Sequence, residues 1–228
     1  MRSRATVLEN LARVRAGIRA ACARVGRDPG SVRIVAAAKT VEAEAVRWVV
    51  EAGVRDIGEN YVQELRAKRA LVPGAVWHYI GTLQRGGAHH VAGLADVVQT
   101  AVPGRALDRL ARAATRLGRS LPVLVEVDFT GERTGVGPEG VVEACDHVAS
   151  TPGLELIGLM TIPPITPDAE GARPYFVRLR ALLERVRERH PSAVELSMGM
   201  SLDYEVAVEE GATMVRIGTA LFGARPPR

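Results

Sequence analysis

Apolar positions recur along the chain in two alternating rhythms. Residues 32–38 form a continuous apolar run broken by one arginine, which predicts a strand buried on both faces. Residues 42–53 then place apolar side chains at helical spacing and stop at a glycine. The same change of period predicts further strands near 54–58, 76–81, 96–100, 122–128, 154–160, 194–198 and 213–217. Helical stretches fall between them at 61–71, 85–92, 104–117, 138–149, 170–189 and 202–210, and another amphipathic helix at 5–25 comes first. Eight strands result, each followed by a helix or a short C-terminal turn.

Strict strand–helix alternation predicts a parallel sheet covered by helices. Eight repeats in about 200 residues suit a closed barrel at the small end of its range. The fold expected is a single α/β (β/α)8 TIM-type barrel with an extra N-terminal helix, one domain over residues 1–228. An open doubly wound sheet is the structural rival, but the glycine fingerprint expected after its first strand is absent; that position reads Ala36-Ala37-Ala38-Lys39-Thr40. No linker, internal repeat or low-complexity tract interrupts the pattern. Residues 161–167, Thr-Ile-Pro-Pro-Ile-Thr-Pro, read as a stiff loop after strand six.

Composition narrows the setting. At 228 residues, 47% hydrophobic and 25% charged, the chain can bury a sizeable core, which argues against disorder. No apolar run approaches the roughly 20 residues that span a bilayer. Met1-Arg2-Ser3-Arg4 has no apolar segment behind it to make a secretory signal. Cys22 and Cys145 are too few for a disulfide framework and stand in no paired motif. The expected compartment is the cytoplasm. A net charge of +4 raises the question of nucleic acid, yet the densest basic cluster, Arg178, Arg180, Arg185, Arg187 and Arg189, shares its helix with Glu184 and Glu188. No nucleic-acid partner is expected, and no membrane.

Lysine usage is more telling. Only Lys39 and Lys68 stand among 30 basic residues. Lys68 lies in Arg66-Ala67-Lys68-Arg69 and reads as part of a solvated helix face. Lys39 ends an apolar approach, Ile34-Val35-Ala36-Ala37-Ala38, at the strand end where barrels carry their functional groups. Lost hydration there disfavours the charged form and favours a neutral amine, the nucleophile of Schiff-base chemistry. A strand-end lysine that snorkels to solvent is the alternative.

The last two strands add a second group. Strand seven runs into Ser197-Met198-Gly199-Met200-Ser201 and strand eight into Arg216-Ile217-Gly218-Thr219-Ala220. Small and hydroxylated residues at these turns leave backbone N–H groups free for a phosphate, at the loops where barrels commonly bind one. The plainer reading makes Ser201 the N-cap of the next helix and Gly218 a simple turn. An amine beside a phosphate cradle describes a site for pyridoxal 5′-phosphate. Arg216 could then hydrogen-bond the pyridine nitrogen and keep it unprotonated; otherwise it is a surface ion pair.

Several segments resemble the YggS-like pyridoxal phosphate homeostasis proteins. These are Ala37-Ala38-Lys39-Thr40, Gly58-Glu59-Asn60-Tyr61-Val62-Gln63-Glu64, Trp77-His78-Tyr79-Ile80-Gly81, Leu83-Gln84, Gly158-Leu159-Met160, and the strand-seven and strand-eight motifs. They keep the family's order over nearly the whole chain. The resemblance implies a barrel similar to the alanine racemase N-terminal domain, with the cofactor held covalently on Lys39. It implies that Ser201, Gly218 and Thr219 hold the phosphate and that Arg216 faces the pyridine nitrogen. It places Asn60, His78 and Met198 at the same strand ends. Thr82, Arg85-Gly86-Gly87 and Arg133 depart from the family pattern, and the loop after strand five reads as shortened.

Binding is better specified than turnover. Racemisation needs two acid/base groups on opposite faces of a substrate. Tyr61, Tyr79 and Tyr204 could each be put forward beside Lys39, though each also reads as a packing residue. The sequence ends six residues after Phe222, so no second domain is expected to supply the missing group. His89 and His90 are adjacent and expected to point apart, His147 and His190 are expected to lie exposed on helices, and no metal site is expected. The reading is a carrier or buffer of pyridoxal 5′-phosphate that acts in its homeostasis and supplies apoenzymes, as a monomer. The alternatives are a slow amino-acid racemase and a partner-binding scaffold that senses the cofactor.

Overall fold

The computed structural model describes residues 3–224, and Met1, Arg2 and residues 225–228, on which the readings of the two chain ends partly rest, lie outside the described residues. Helix α1, Arg4–Arg24, is capped by Ser3, whose hydroxyl accepts from the Thr6 amide at 3.1 Å. It buries Val7, Leu11, Val14, Ile18, Ala21 and Cys22, a stripe at helical spacing. Strand and helix then alternate through β1 Arg33–Ala37, α2 Ala43–Glu51, β2 Asp56–Glu59, α3 Val62–Leu71, β3 Val76–Tyr79, α4 Ala88–Leu94, β4 Val97–Ala101 and α5 Arg105–Arg116. The series continues through β5 Leu121–Val127, α6 Val141–Ser150, β6 Leu154–Thr161, α7 Arg173–Arg187, β7 Glu195–Ser197, α8 Tyr204–Glu209, β8 Met214–Ile217 and α9 Thr219–Phe222.

All neighbouring strands are parallel, and β8 pairs back onto β1 to close the barrel. The closing register sets Val35 beside Arg216 and Ala36 beside Ile217. Side chains alternate between the two faces of each strand. Ile34, Ala36 and Ala38 therefore join Ile57, Trp77 and Val215 in the large core between strands and helices, while Ala37 faces the opposite way and lines the barrel mouth. Inside the barrel, Val97, Leu124 and Met160 form a small apolar cluster.

The strand ends carry most of the differences from the sequence reading. β3 stops at Tyr79 rather than 81; Ile80 beyond it lines the mouth, and Gly81 packs against the Asn60 backbone. A side chain at Gly81 would meet the Asn60 carbonyl oxygen at 2.2 Å, so the position requires a residue without Cβ. Helix α8 begins at Tyr204 with Asp203 before it, so Ser201 is not its N-cap. His190 follows α7 and is half-buried against Asp146 at 2.7 Å, where exposure on a helix was expected. No described helix is long and apolar enough to cross a membrane.

Candidate functional site

A cavity of about 470 Å3 opens at the C-terminal ends of the strands. Lys39 follows β1, Asn60 follows β2, Ile80 follows β3, and Met200, Ser201, Leu202 and Asp203 follow β7; Gly218 and Thr219 follow β8, and all of them line it. The proline-containing loop of residues 162–169 after β6 forms one wall, and Arg133 reaches it from the loop after β5. Six of the expected site residues, Lys39, Asn60, Ser201, Arg216, Gly218 and Thr219, thus come together. Chain closure makes this possible, since Lys39 and Gly218 are far apart in sequence but follow two strands that pair with each other.

Lys39 is half-buried, with its ammonium 5.0 Å from the centre of the Tyr61 ring. The apolar run before it does not surround the amine, because alternate residues of that run face the helices. Beneath the loop lies a buried ion cluster. Lys68 Nζ donates to the Ala38 carbonyl, Glu59 Oε2 and Glu64 Oε2, each at 2.7 Å. Lys68 is only 7% exposed and Glu59 fully buried, so the solvated face expected for Lys68 is a correction. In α3 it shares its inward side with Leu65, three positions earlier, and the partners that bury it come from β1 and β2. Burial pushes the Glu59 carboxyl up, against the pull of Lys68. Burial raises Glu64 as well, but the hydrogen bonds from Lys68 and the Thr40 amide outweigh it and hold that carboxyl below its usual range.

Arg216 is buried rather than a surface ion pair. Burial draws its guanidinium down to about 10, with Asp203 and Glu126 pulling the other way, so it stays charged at neutral pH. Its Nη1 donates to Ser197 Oγ at 2.6 Å and its Nη2 to the Thr161 carbonyl at 2.7 Å. Ser197 Oγ donates in turn to Gln99 Oε1 at 2.7 Å, and Gln99 Nε2 lies 2.9 Å from His78 Nδ1. His78 Nε2 completes the chain at 2.8 Å from Asp56 Oδ1.

His78 therefore does not line the cavity. It is fully buried inside the barrel, because it points inward from the third position of β3, one inward-facing level below Ile80. Met198 is also displaced from the expected site: it follows the inward Ser197, so it turns outward into the core between strands and helices. Ser201 Oγ accepts from the Ala220 amide at 3.1 Å and so caps the first turn of α9 from across the mouth. Gln99, Ser197, Glu59, Glu64 and Lys68 were assigned no role from the sequence. The one available signal was Glu64 and Lys68 at a four-residue spacing on a helix, a favourable ion-pair geometry.

No group of three or more potential metal ligands occurs among the described residues. His89 and His90 do not point apart as expected; their rings lie 3.8 Å from each other. Cys22 and Cys145 are buried free thiols, and burial pushes Cys145 up to about 12.

The chain matches the family "Alanine racemase, N-terminal domain" over residues 10–226. It is 39% identical over 222 residues to the pyridoxal phosphate homeostasis protein of Aquifex aeolicus, covering 95% of this chain and 97% of that one. It is 41% identical over 231 residues to the protein of the same name in Pseudomonas aeruginosa, covering 96% of each. The structure of PipY from Synechococcus elongatus, solved with pyridoxal 5′-phosphate bound, matches with a TM-score of 0.84 at 32% identity over 95% of this chain and 100% of PipY. A D-threonine aldolase from Filomicrobium marinum shares the fold at 18% identity, with a TM-score of 0.80 over 97% of this chain and 61% of that one. The barrel, its full-length matches and the strand-end motifs agree: this chain belongs to the pyridoxal phosphate homeostasis proteins, a family built on the alanine racemase N-terminal domain.

Proposed function

We propose that the protein binds pyridoxal 5′-phosphate as a Schiff base on Lys39 and acts as a cytoplasmic carrier or buffer that supplies the cofactor to apoenzymes. The observation that carries this reading is the convergence of one amine, one buried guanidinium and the hydroxyl-bearing turns after β7 and β8 on a single cavity. The residues fit the group chemically. The cofactor supplies an aldehyde carbon, and Lys39 is the cavity's only amine among the described residues. Ser201, Gly218 and Thr219 offer hydroxyl and backbone donors to an anion. Arg216 offers only donors, so it can hydrogen-bond an unprotonated ring nitrogen. PipY, which carries the cofactor, supports the same reading. The free buried thiols are consistent with a reducing compartment.

Borohydride reduction of protein mixed with the cofactor, followed by peptide mass spectrometry, tests the attachment. A reduced adduct on Lys39 is expected; an adduct elsewhere, or none, overturns the assignment. A carrier is favoured over a racemase because Tyr79 and Tyr204 do not line the cavity; Tyr61, whose ring centre lies 5.0 Å from the Lys39 ammonium, is the tyrosine a racemase would have to use. Tyr79 instead donates to the Thr82 carbonyl at 3.2 Å, and Tyr204 pairs with Glu205. Chiral chromatography after incubation with single L-amino acids should show no sustained D-isomer; D-isomer that disappears in Lys39→Ala would decide for the racemase. A monomer is part of the proposal, since a closed barrel leaves no sheet edge to pair, and light scattering measures it.

A further inference from the structure

The second lysine sits behind the first, and their geometry is specific. The two peptide groups that flank the Lys39 Cα are each held by one member of the same ion pair. The carbonyl of the peptide before it, that of Ala38, accepts from Lys68 Nζ at 2.7 Å. The amide of the peptide after it, that of Thr40, donates to Glu64 Oε2 at 3.0 Å. Lys68 and Glu64 are themselves joined at 2.7 Å, which closes a ring around the Lys39 backbone. Glu59 Oε2 takes the third proton of the Lys68 ammonium, and its Oε1 accepts from the Asn60 amide at 3.0 Å. All three donors of the buried ammonium are thereby used.

The backbone inside this ring is strained. Thr40 has φ +62°, the single positive value at a non-glycine among the described residues. For a β-branched residue this conformation is disfavoured, because its branched side chain crowds the backbone. Strain of that kind persists only where surrounding contacts fix it. The bond from Glu64 to the Thr40 amide is such a contact, and it lies one residue from the amine that lines the cavity.

We infer that Lys68, with Glu64 and Glu59, is a positioning residue for Lys39: the ion cluster clamps both flanking peptides and aims the amine into the cavity. The inference rests on the proposal that Lys39 forms the Schiff base. It also gives a role to the Glu59–Glu64 segment that cofactor contacts alone do not explain. Attack on the aldehyde needs the amine within a narrow range of distance and angle, and a misplacement of about 1 Å can cost roughly a hundredfold in rate.

The test uses three variants and two ligands. Glu64→Ala removes the acceptor of the Thr40 amide at a side chain that is 31% exposed, and an unchanged circular dichroism spectrum is the expected check that the fold is retained. Glu64→Gln keeps an acceptor there. Lys68→Met with Glu59→Gln removes the buried pair, and the Glu64 carboxylate it leaves is 31% exposed and keeps the Thr40 amide. Stopped-flow absorbance follows imine formation with pyridoxal 5′-phosphate. Calorimetry follows binding of pyridoxine 5′-phosphate, which keeps the ring and phosphate but has an alcohol in place of the aldehyde.

Glu64→Ala and the double variant should form the imine roughly tenfold to a hundredfold more slowly, with affinity for pyridoxine 5′-phosphate unchanged and Glu64→Gln close to the parent. Parental imine rates in both slow variants would overturn the inference, as would equal losses for the two ligands, which would mark a purely structural role. Borohydride labelling of the unmodified protein is done first. Failure to label Lys39 there sinks the Schiff-base proposal, whereas labelling with unaltered variant rates sinks only the clamp.

Discussion

At the scale of single residues, Ser201 makes the sharpest prediction. Its hydroxyl accepts from the Ala220 amide and at the same time lines the cavity beside Gly218 and Thr219. If it also donates to the cofactor's phosphate, Ser201→Ala should weaken binding of pyridoxal 5′-phosphate by about 1–3 kcal/mol, the range for a lost donor to a charged acceptor. Binding of unphosphorylated pyridoxal should be unaffected, and calorimetry with the two ligands separates these outcomes. Equal affinity of parent and variant for the phosphorylated form would leave the hydroxyl as a cap for α9 alone. That Lys39 and Ser201 lie at the barrel mouth could be read from the sequence because each follows a strand in a short, distinctive motif. Lys68 could not. Its neighbours Arg66 and Arg69 are charged, and what buries it is a carboxylate on β2 and a carbonyl after β1, 9 and 30 residues away.

Among elements, the barrel strands cooperate through their interior as well as their edges. The chain Asp56–His78–Gln99–Ser197–Arg216 links β2, β3, β4, β7 and β8 inside the barrel. Burial alone would raise the Asp56 carboxyl, but the hydrogen bond with His78 and the charge of Arg33 outweigh it and hold it below the usual range. A carboxyl depressed in the folded state stabilises the fold above its unfolded pKa, about 3.9, and that contribution is lost as pH falls through the folded value. Asp56→Asn should therefore be less stable than the parent at pH 7, with the difference shrinking below about pH 4. Urea denaturation at the two pH values measures this, and a gap that persists undiminished in acid would show that the carboxylate charge is not what stabilises the chain. Strand number and order were legible because buried parallel strands are continuous apolar runs. The interior network was not, because strand periodicity marks Gln99 and Ser197 only as positions on a face and says nothing of their partners across the barrel.

For the whole molecule, the element outside the eightfold repeat matters as much as those within it. Helix α1 packs against α2 on one side and α8 and α9 on the other, so it spans the seam where β8 meets β1. Asn10 Nδ2 donates to the Leu221 carbonyl at 3.0 Å and ties α1 to α9, the short helix beside the cavity. Of the six side chains that α1 buries, Val7, Leu11, Val14 and Ile18 are large, and each contributes about 1.5–3 kcal/mol when buried. Their sum is comparable to the 5–15 kcal/mol that typically separates a folded domain from its unfolded chain. Removal of residues 1–25 should therefore abolish cooperative folding, and with it cofactor binding, as read by circular dichroism on heating and by calorimetry. Leu11→Ala, a milder change, should cost about 2–5 kcal/mol of stability while leaving the affinity of the folded protein for the cofactor intact. A truncated chain that melted cooperatively and still bound the cofactor would mean that the eight repeats close the seam without α1.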